Sequence, residues 1–172
     1  LAKGGRDEQA VETATEVGAG LVLPWQSERC VSVWQGAKQA KGRQRWQATA
    51  LQAAKQARRA RMPEVEEVRD TRRLADWVEQ TVRDGGVVLV LHEEAMTPIS
   101  TAMESVRLPV PGEAPLVLAV VVGPEGGISP EETAALEAVG ATTVRLGPHV
   151  MRTASAGPVA LAVLAHASGL WE

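Results

Sequence analysis

The chain has 172 residues, of which 45% are hydrophobic and 23% charged, and a formal net charge of −3 at pH 7. That length fits one domain with a sizeable core, and the composition is that of a globular protein rather than a disordered or fibrous one. No apolar run reaches bilayer-spanning length, no charged-then-apolar leader opens the chain, and the single cysteine, Cys30, excludes an internal disulfide, so no membrane partner is expected and a reducing cytoplasm is the expected location.

In chain order, "RDEQAVETATEVG" reads as a helix capped by Asp7 and closed by Gly18. "GLVLPW" is a short strand that Pro24 interrupts. Residues 43 to 60 predict a long Ala- and Gln-rich helix, stopped near Pro63. Around it, residues 38 to 61 hold Lys38, Lys41, Arg43, Arg45, Lys55, Arg58, Arg59 and Arg61 and no carboxylate, which is +8 within a chain of net −3. Such a cluster suits either a polyanion or a solvated helix face, and composition leaves both open. "TRRLADWVEQTV" spaces Leu74, Trp77, Val78 and Val82 as one helical face. "GGVVLVLHEE" is a buried strand, Val87 to Leu91, that runs into a polar loop. Residues 105 to 115 contain three prolines and read as loop. "PLVLAVVV" is a second buried strand. "SPEETAALEAVG" starts a helix with Ser129 as N-cap, Pro130 at the first position and Glu132 as capping-box partner, and Gly140 ends it. "TTVRLG" is a third core strand, and "TASAGPVALAVLAHAS" is a closing helix, broken or kinked near Pro158.

Short apolar strands alternating with helices predict an α/β domain, a parallel sheet with helices on both faces. Ligands of such sheets collect at the carboxyl ends of strands. Three loops leave those ends here: "LHEEA", "GPEGGIS" and "LGPHVMRT". If their strands are neighbours, the loops converge. The familiar nucleotide loops are absent, since "GPEGG" is neither G-x-G-x-x-G nor a P-loop. His92, His149 and His166 are scattered, so no metal is expected. "TASAG" lacks the first glycine of a serine nucleophile elbow. What is left is backbone: glycines that let a flat ligand lie close, with N–H and C=O groups to read its edge.

"VVVGPEGGISPEE" followed by "TTVRLGPHVMRTASAGPVALAVL" resembles the RsmE family, bacterial enzymes of the SPOUT superfamily that methylate N3 of a uridine in 16S ribosomal RNA. "KGGRDEQAVETATEVGAGLVLPWQSERCV" and "KGRQRWQATALQAAKQARRARMPEV" resemble the start of that family's catalytic domain. The resemblance covers nearly all of the chain. It implies a SPOUT-type parallel sheet flanked by helices with a C-terminal deep trefoil knot, an exception to the unknotted rule. It implies S-adenosylmethionine as cofactor, 16S ribosomal RNA of the small subunit as partner, and a homodimer with the last helix near its interface. Residues 1 to 172 would be one methyltransferase domain, beginning where the family's N-terminal PUA-like RNA-binding domain ends. The rival readings are another SPOUT methyltransferase, acting on a ribose 2′-hydroxyl or a tRNA base, and a non-catalytic RNA-binding dimer.

The resemblance also assigns roles. Gly123, Pro124, Glu125, Gly126 and Gly127 would bring backbone against the cofactor, the alternative for Gly126 and Gly127 being a turn that needs positive φ. Leu146, Val150 and Met151 would wall its adenine, with Leu91, His92 and Gly147 bordering the pocket. Thr153 would be a helix cap with a ligand contact. Arg152 would be the catalytic residue, stabilising negative charge on the uridine carbonyls as N3 loses its proton. Glu125 is a candidate base or a helix cap. Arg58, Arg59 and Arg61 would contact RNA backbone. The chain departs from the commoner family pattern at His149, where a basic residue is expected, and at Ala154, where Glu is common.

Overall fold

The computed structural model describes residues 1–106 and 116–171. The element order is α1 (Arg6–Val17), β1 (Leu21–Val22), α2 (Ala37–Gln56), β2 (Glu64–Val65), α3 (Thr71–Arg83), β3 (Val87–Leu91), α4 (Ile99–Glu104), β4 (Leu118–Val121), α5 (Pro130–Ala138), β5 (Thr142–Val144) and α6 (Thr153–Ala167). Of the predicted proline-rich loop at 105–115, residues 107–115 lie outside the described residues.

The centre is a parallel three-stranded sheet in the order β4-β3-β5. The apolar run of β3 makes it the middle strand, and its alternation divides the core. Val88 and Val90 pack with Leu74 and Val78 of α3 and Leu136 of α5 on one face. Leu89 packs with Met103 of α4, Val144 of β5 and Leu164 of α6 on the other. A second parallel pair, β1 with β2, stands apart and is prolonged by a bridge between Trp25 and Arg69. The expected α/β architecture with helices on both faces is therefore present, divided between two small sheets.

Local signals hold where they are self-contained. Ser129 and Glu132 form the predicted capping box, and Pro130 opens α5. Glu132 does more than cap: its buried carboxylate also accepts from the Glu28 backbone N–H (2.9 Å) and the Thr71 hydroxyl (2.6 Å). It thereby ties three segments together.

Several expectations are corrected. Asp7 is not the cap of α1; Gly5 holds that position, and Asp7 lies buried in the first turn, where its Oδ1 accepts the Glu8 backbone N–H at 3.0 Å. An acid inside the first turn serves the same orphan donors. The basic helix runs over 37–56, not 43–60. Its end is a Schellman closure: Arg58 N–H donates to the Lys55 carbonyl and Arg59 N–H to the Ala54 carbonyl. Arg58 accordingly takes the left-handed position, with φ 53°, that glycine usually fills. α6 continues through Pro158, which is buried together with Gly157, rather than breaking there. Thr153 is its first helical residue, and Arg152 occupies the N-cap.

Candidate functional site

In-register pairing sets Leu91 beside Val144 and Val90 beside Val121, so the three strands of the main sheet end level with one another. The loops that follow them close around a cleft of about 370 Å³. That is within the usual size of a small-ligand site. Leu91, His92 and Glu93 line it after β3, then Val122 to Glu125, Gly127 and Ile128 after β4. The run from Arg145 to Thr153, with Ala156, lines it after β5, and Arg6 of α1 reaches it from the other end of the chain. The expected convergence is thus observed. Further lacing joins two of the loops: Arg145 N–H donates to the Thr97 carbonyl (2.8 Å), and Ile99 N–H to the Arg145 carbonyl (3.0 Å).

The three glycines after β4 are there for different reasons. At Gly123, a Cβ would fall 2.6 Å from Ile128 Cγ1. Gly127 closes a turn, donating to the Pro124 carbonyl at 2.9 Å with φ +74°. Gly126 does not line the cleft. Its back rests on Arg29, where a Cβ would stand 3.1 Å from the Arg29 carbonyl oxygen, and its own carbonyl accepts from Arg29 Nη1 at 3.4 Å. So the turn requirement holds for Gly127, and close packing explains the other two. Gly147 is the opposite case: it lines the cleft, and a Cβ there meets nothing within 4 Å.

Glu125 caps no helix, since Ser129 holds the N-cap of α5. Its Oε1 pairs with Arg6 Nη1 at 3.0 Å and accepts the Lys3 backbone N–H at 3.2 Å. Partial burial pushes its carboxyl up. The backbone N–H groups of Glu125 itself and of Lys3, with the Arg6 guanidinium, outweigh this and hold it below the ordinary 4.5. It fastens the glycine turn to the start of α1. His92 Nδ1 accepts the Glu94 backbone N–H at 3.2 Å.

On the wall after β5, Leu146 is half-buried and Met151 half-exposed at 39%, whereas Val150 is 79% exposed. Arg152 is exposed at the rim and makes no ion pair among the described residues. Arg145, also exposed, lies on the same wall. Its position directly after a strand end in "TTVRLG" was the available sequence signal. Arg6 and Arg29 carried none, because each acts on a turn about a hundred residues away.

The basic segment is not uniformly free. Arg59 Nη1 donates to the carbonyls of Thr15 (2.8 Å) and Ala19 (2.7 Å), and its Nη2 to that of Gly18 (3.3 Å). It closes the C-terminus of α1, and so is withdrawn from the expected RNA contact. Arg58 and Arg61 are exposed. Arg43 Nε donates to the Val65 carbonyl at 2.9 Å, and Arg45 pairs with Glu8. Among the described residues no helix is long and apolar enough to cross a membrane, and no three His, Cys, Asp or Glu side chains are grouped as a metal set.

Residues 1–165 match the RNA methyltransferase domain family. A Mycobacterium bovis protein named ribosomal RNA small subunit methyltransferase E is 46% identical over 172 residues, covering 100% of this chain and 63% of the relative. A Bacillus subtilis protein of the same name is 30% identical over 171 residues, covering 99% and 64%. A Legionella pneumophila protein solved in complex with bound cofactor SAM has a TM-score of 0.76 at 28% identity, covering 97% of this chain and 63% of that one. The chain spans less than two thirds of the length of the curated relatives it matches.

Proposed function

The chain belongs to the RNA methyltransferase domain family, and from that premise we propose that it methylates N3 of a uridine in 16S ribosomal RNA, with S-adenosylmethionine as cofactor. The observation that carries this reading is the cleft itself. Its walls are a glycine turn, a second open glycine at 147 and the apolar Leu91, Leu146 and Met151, with guanidinium groups at the rim. Those walls fit a ligand with a flat base and a polar tail: exposed backbone for the edges, apolar side chains for the ring faces. When bound, the sulfonium of S-adenosylmethionine supplies an electrophilic methyl group.

The protein's own share of the chemistry is alignment and charge management. Leu91, Leu146, Gly147 and Met151 hold the adenosyl part, and the turn from Gly123 to Gly127 holds the polar end, stiffened from behind by Glu125 with Arg6 and by Arg29 with Gly126. Uridine N3 becomes nucleophilic as its proton passes to solvent at the open cleft, and negative charge gathers on the two flanking carbonyl oxygens. Arg152, without an ion pair among the described residues, offers a planar fork of donors at the rim, suited to those oxygens.

The same reading includes a single catalytic domain over residues 1–172, a cytoplasmic location, a C-terminal trefoil knot and a homodimer. Exposed Val150 and Met151, with Val159 on α6, support an interface there. Calorimetric titration of the chain with S-adenosylmethionine tests the core of the proposal. Saturable binding at one site per chain is expected, and the absence of binding by the folded chain overturns it.

A further inference from the structure

The face of α2 turned away from the core has an order that its charge count does not reveal. The helix buries Gly42, Trp46, Ala50, Ala53 and Ala54. On its other side Lys38, Lys41, Arg45, Ala48, Gln52 and Lys55 recur at alternating intervals of three and four, and all are exposed. That spacing puts them in one nearly straight row along the helix. At about 1.5 Å per residue the row is roughly 26 Å long. Gln44, also exposed, stands beside the row, three positions after Lys41. α2 contains no Asp or Glu. Only Arg45 of the row has an acidic partner among the described residues, Glu8, whose side chain is 23% exposed against 57% for Arg45.

Three features say what lies on this ridge. The row is cationic at four of its positions, and Ala48 in it and exposed Leu51 beside it are too few apolar side chains to make a seam for another helix. It is one helix wide, which matches a strand of phosphates better than a planar membrane, and Gln44 and Gln52 add neutral donors of the kind that meet phosphate and sugar oxygens. It also leads to the cleft: Arg45 meets Glu8 in the first turn of α1, and Arg6, two residues earlier, lines the cleft.

We propose that the α2 ridge is a track for the phosphate backbone of the substrate RNA, leading it past Arg6 to the cleft. The proposal rests on the RNA methyltransferase reading and replaces Arg59, which is structural, with the row from Lys38 to Lys55.

The test compares the chain with Lys38→Gln/Lys41→Gln/Lys55→Gln and with Arg72→Gln/Arg73→Gln/Arg83→Gln, which removes the same charge from α3. Affinity for a small-subunit ribosomal RNA transcript is measured against salt concentration, and S-adenosylmethionine affinity on the same proteins. Three lost phosphate contacts lower the salt slope by about 2 and the affinity by about 100-fold at 0.1 M salt for single-stranded RNA. The α2 variant is expected to show both changes with its cofactor affinity intact, and the α3 variant neither. An unchanged slope in the α2 variant overturns the track, as does an equal fall in both variants. A loss confined to phosphatidylserine-containing vesicles, with RNA binding untouched, assigns the ridge to a membrane and overturns it too. A chain that binds no cofactor but shows the expected slope change loses the enzyme reading and keeps the ridge.

Discussion

Replacing Gly147 by valine separates a cofactor cleft from a tight corner more cleanly than any change in the glycine turn. A Cβ at Gly147 meets nothing within 4 Å, and no positive φ is needed there. The substitution should therefore leave stability within about 0.5 kcal/mol, a shift in Tm of about 1–2 °C for a domain of this size. The added methyl groups stand on the cleft wall instead. A ligand lying against that backbone is displaced, and a loss of at least tenfold in affinity, about 1.4 kcal/mol, is expected. The turn glycines behave differently. Gly123→Ala drives a carbon to 2.6 Å from Ile128, an overpacking that costs about 1–3 kcal/mol, or about 3–9 °C in Tm at about 3 °C per kcal/mol. Gly127→Ala is strained by its φ of +74°, at roughly 1–2 kcal/mol. Melting curves with and without millimolar S-adenosylmethionine report both quantities, because a ligand specific to the folded chain raises Tm according to its affinity. Wild-type melting and a wild-type ligand shift in Gly147→Val would refute the assignment of the cleft.

Arg59→Ala should lower stability by about 2–3 kcal/mol, since a charged donor leaves three carbonyls at the end of α1, whereas Arg58→Gly should raise it by about 1 kcal/mol through relief of a left-handed non-glycine residue; chemical denaturation of the two variants measures both. Glu125 has a folded-state pKa below its ordinary 4.5, so its contribution is present above that value and is lost as pH falls through the lower folded value. The stability gap between wild type and Glu125→Gln, followed by melting across pH, should therefore be open near neutrality and close below about pH 4.5. Arg152→Ala should reduce methyl transfer by about 10²–10³ with S-adenosylmethionine affinity and Tm near wild type; a loss of cofactor affinity to match would move Arg152 from the uridine to the cofactor.

What could be read in advance was what is encoded within a few residues. The Val87 to Leu91 run is uninterrupted and apolar, so its strand bounds are unambiguous. The Ser129 to Glu132 box is complete within four positions. Even the meeting of three loops follows from parallel strands ending at their carboxyl side. Long-range partners were not legible. Nothing near Arg59 announces the carbonyls of Thr15, Gly18 and Ala19, and a basic cluster reads the same whether its members face solvent or cap a neighbour. Arg6 and Glu125 are separated by 119 positions yet share an ion pair. Glycines, lacking a side chain, do not declare whether turn, packing or ligand requires them; "GPEGG" combines the first two, and the open position proved to be Gly147. The short pair β1 and β2, two residues each, is too brief for any periodicity to register.

The most direct test of the account is the identity of the methylated nucleoside. Small-subunit ribosomal RNA is incubated with the chain and isotopically labelled S-adenosylmethionine, digested to nucleosides and resolved by mass spectrometry. The account predicts label on the uracil ring at N3, lost in Arg152→Ala. Label on a ribose, or none from a chain that binds both RNA and cofactor, would contradict it.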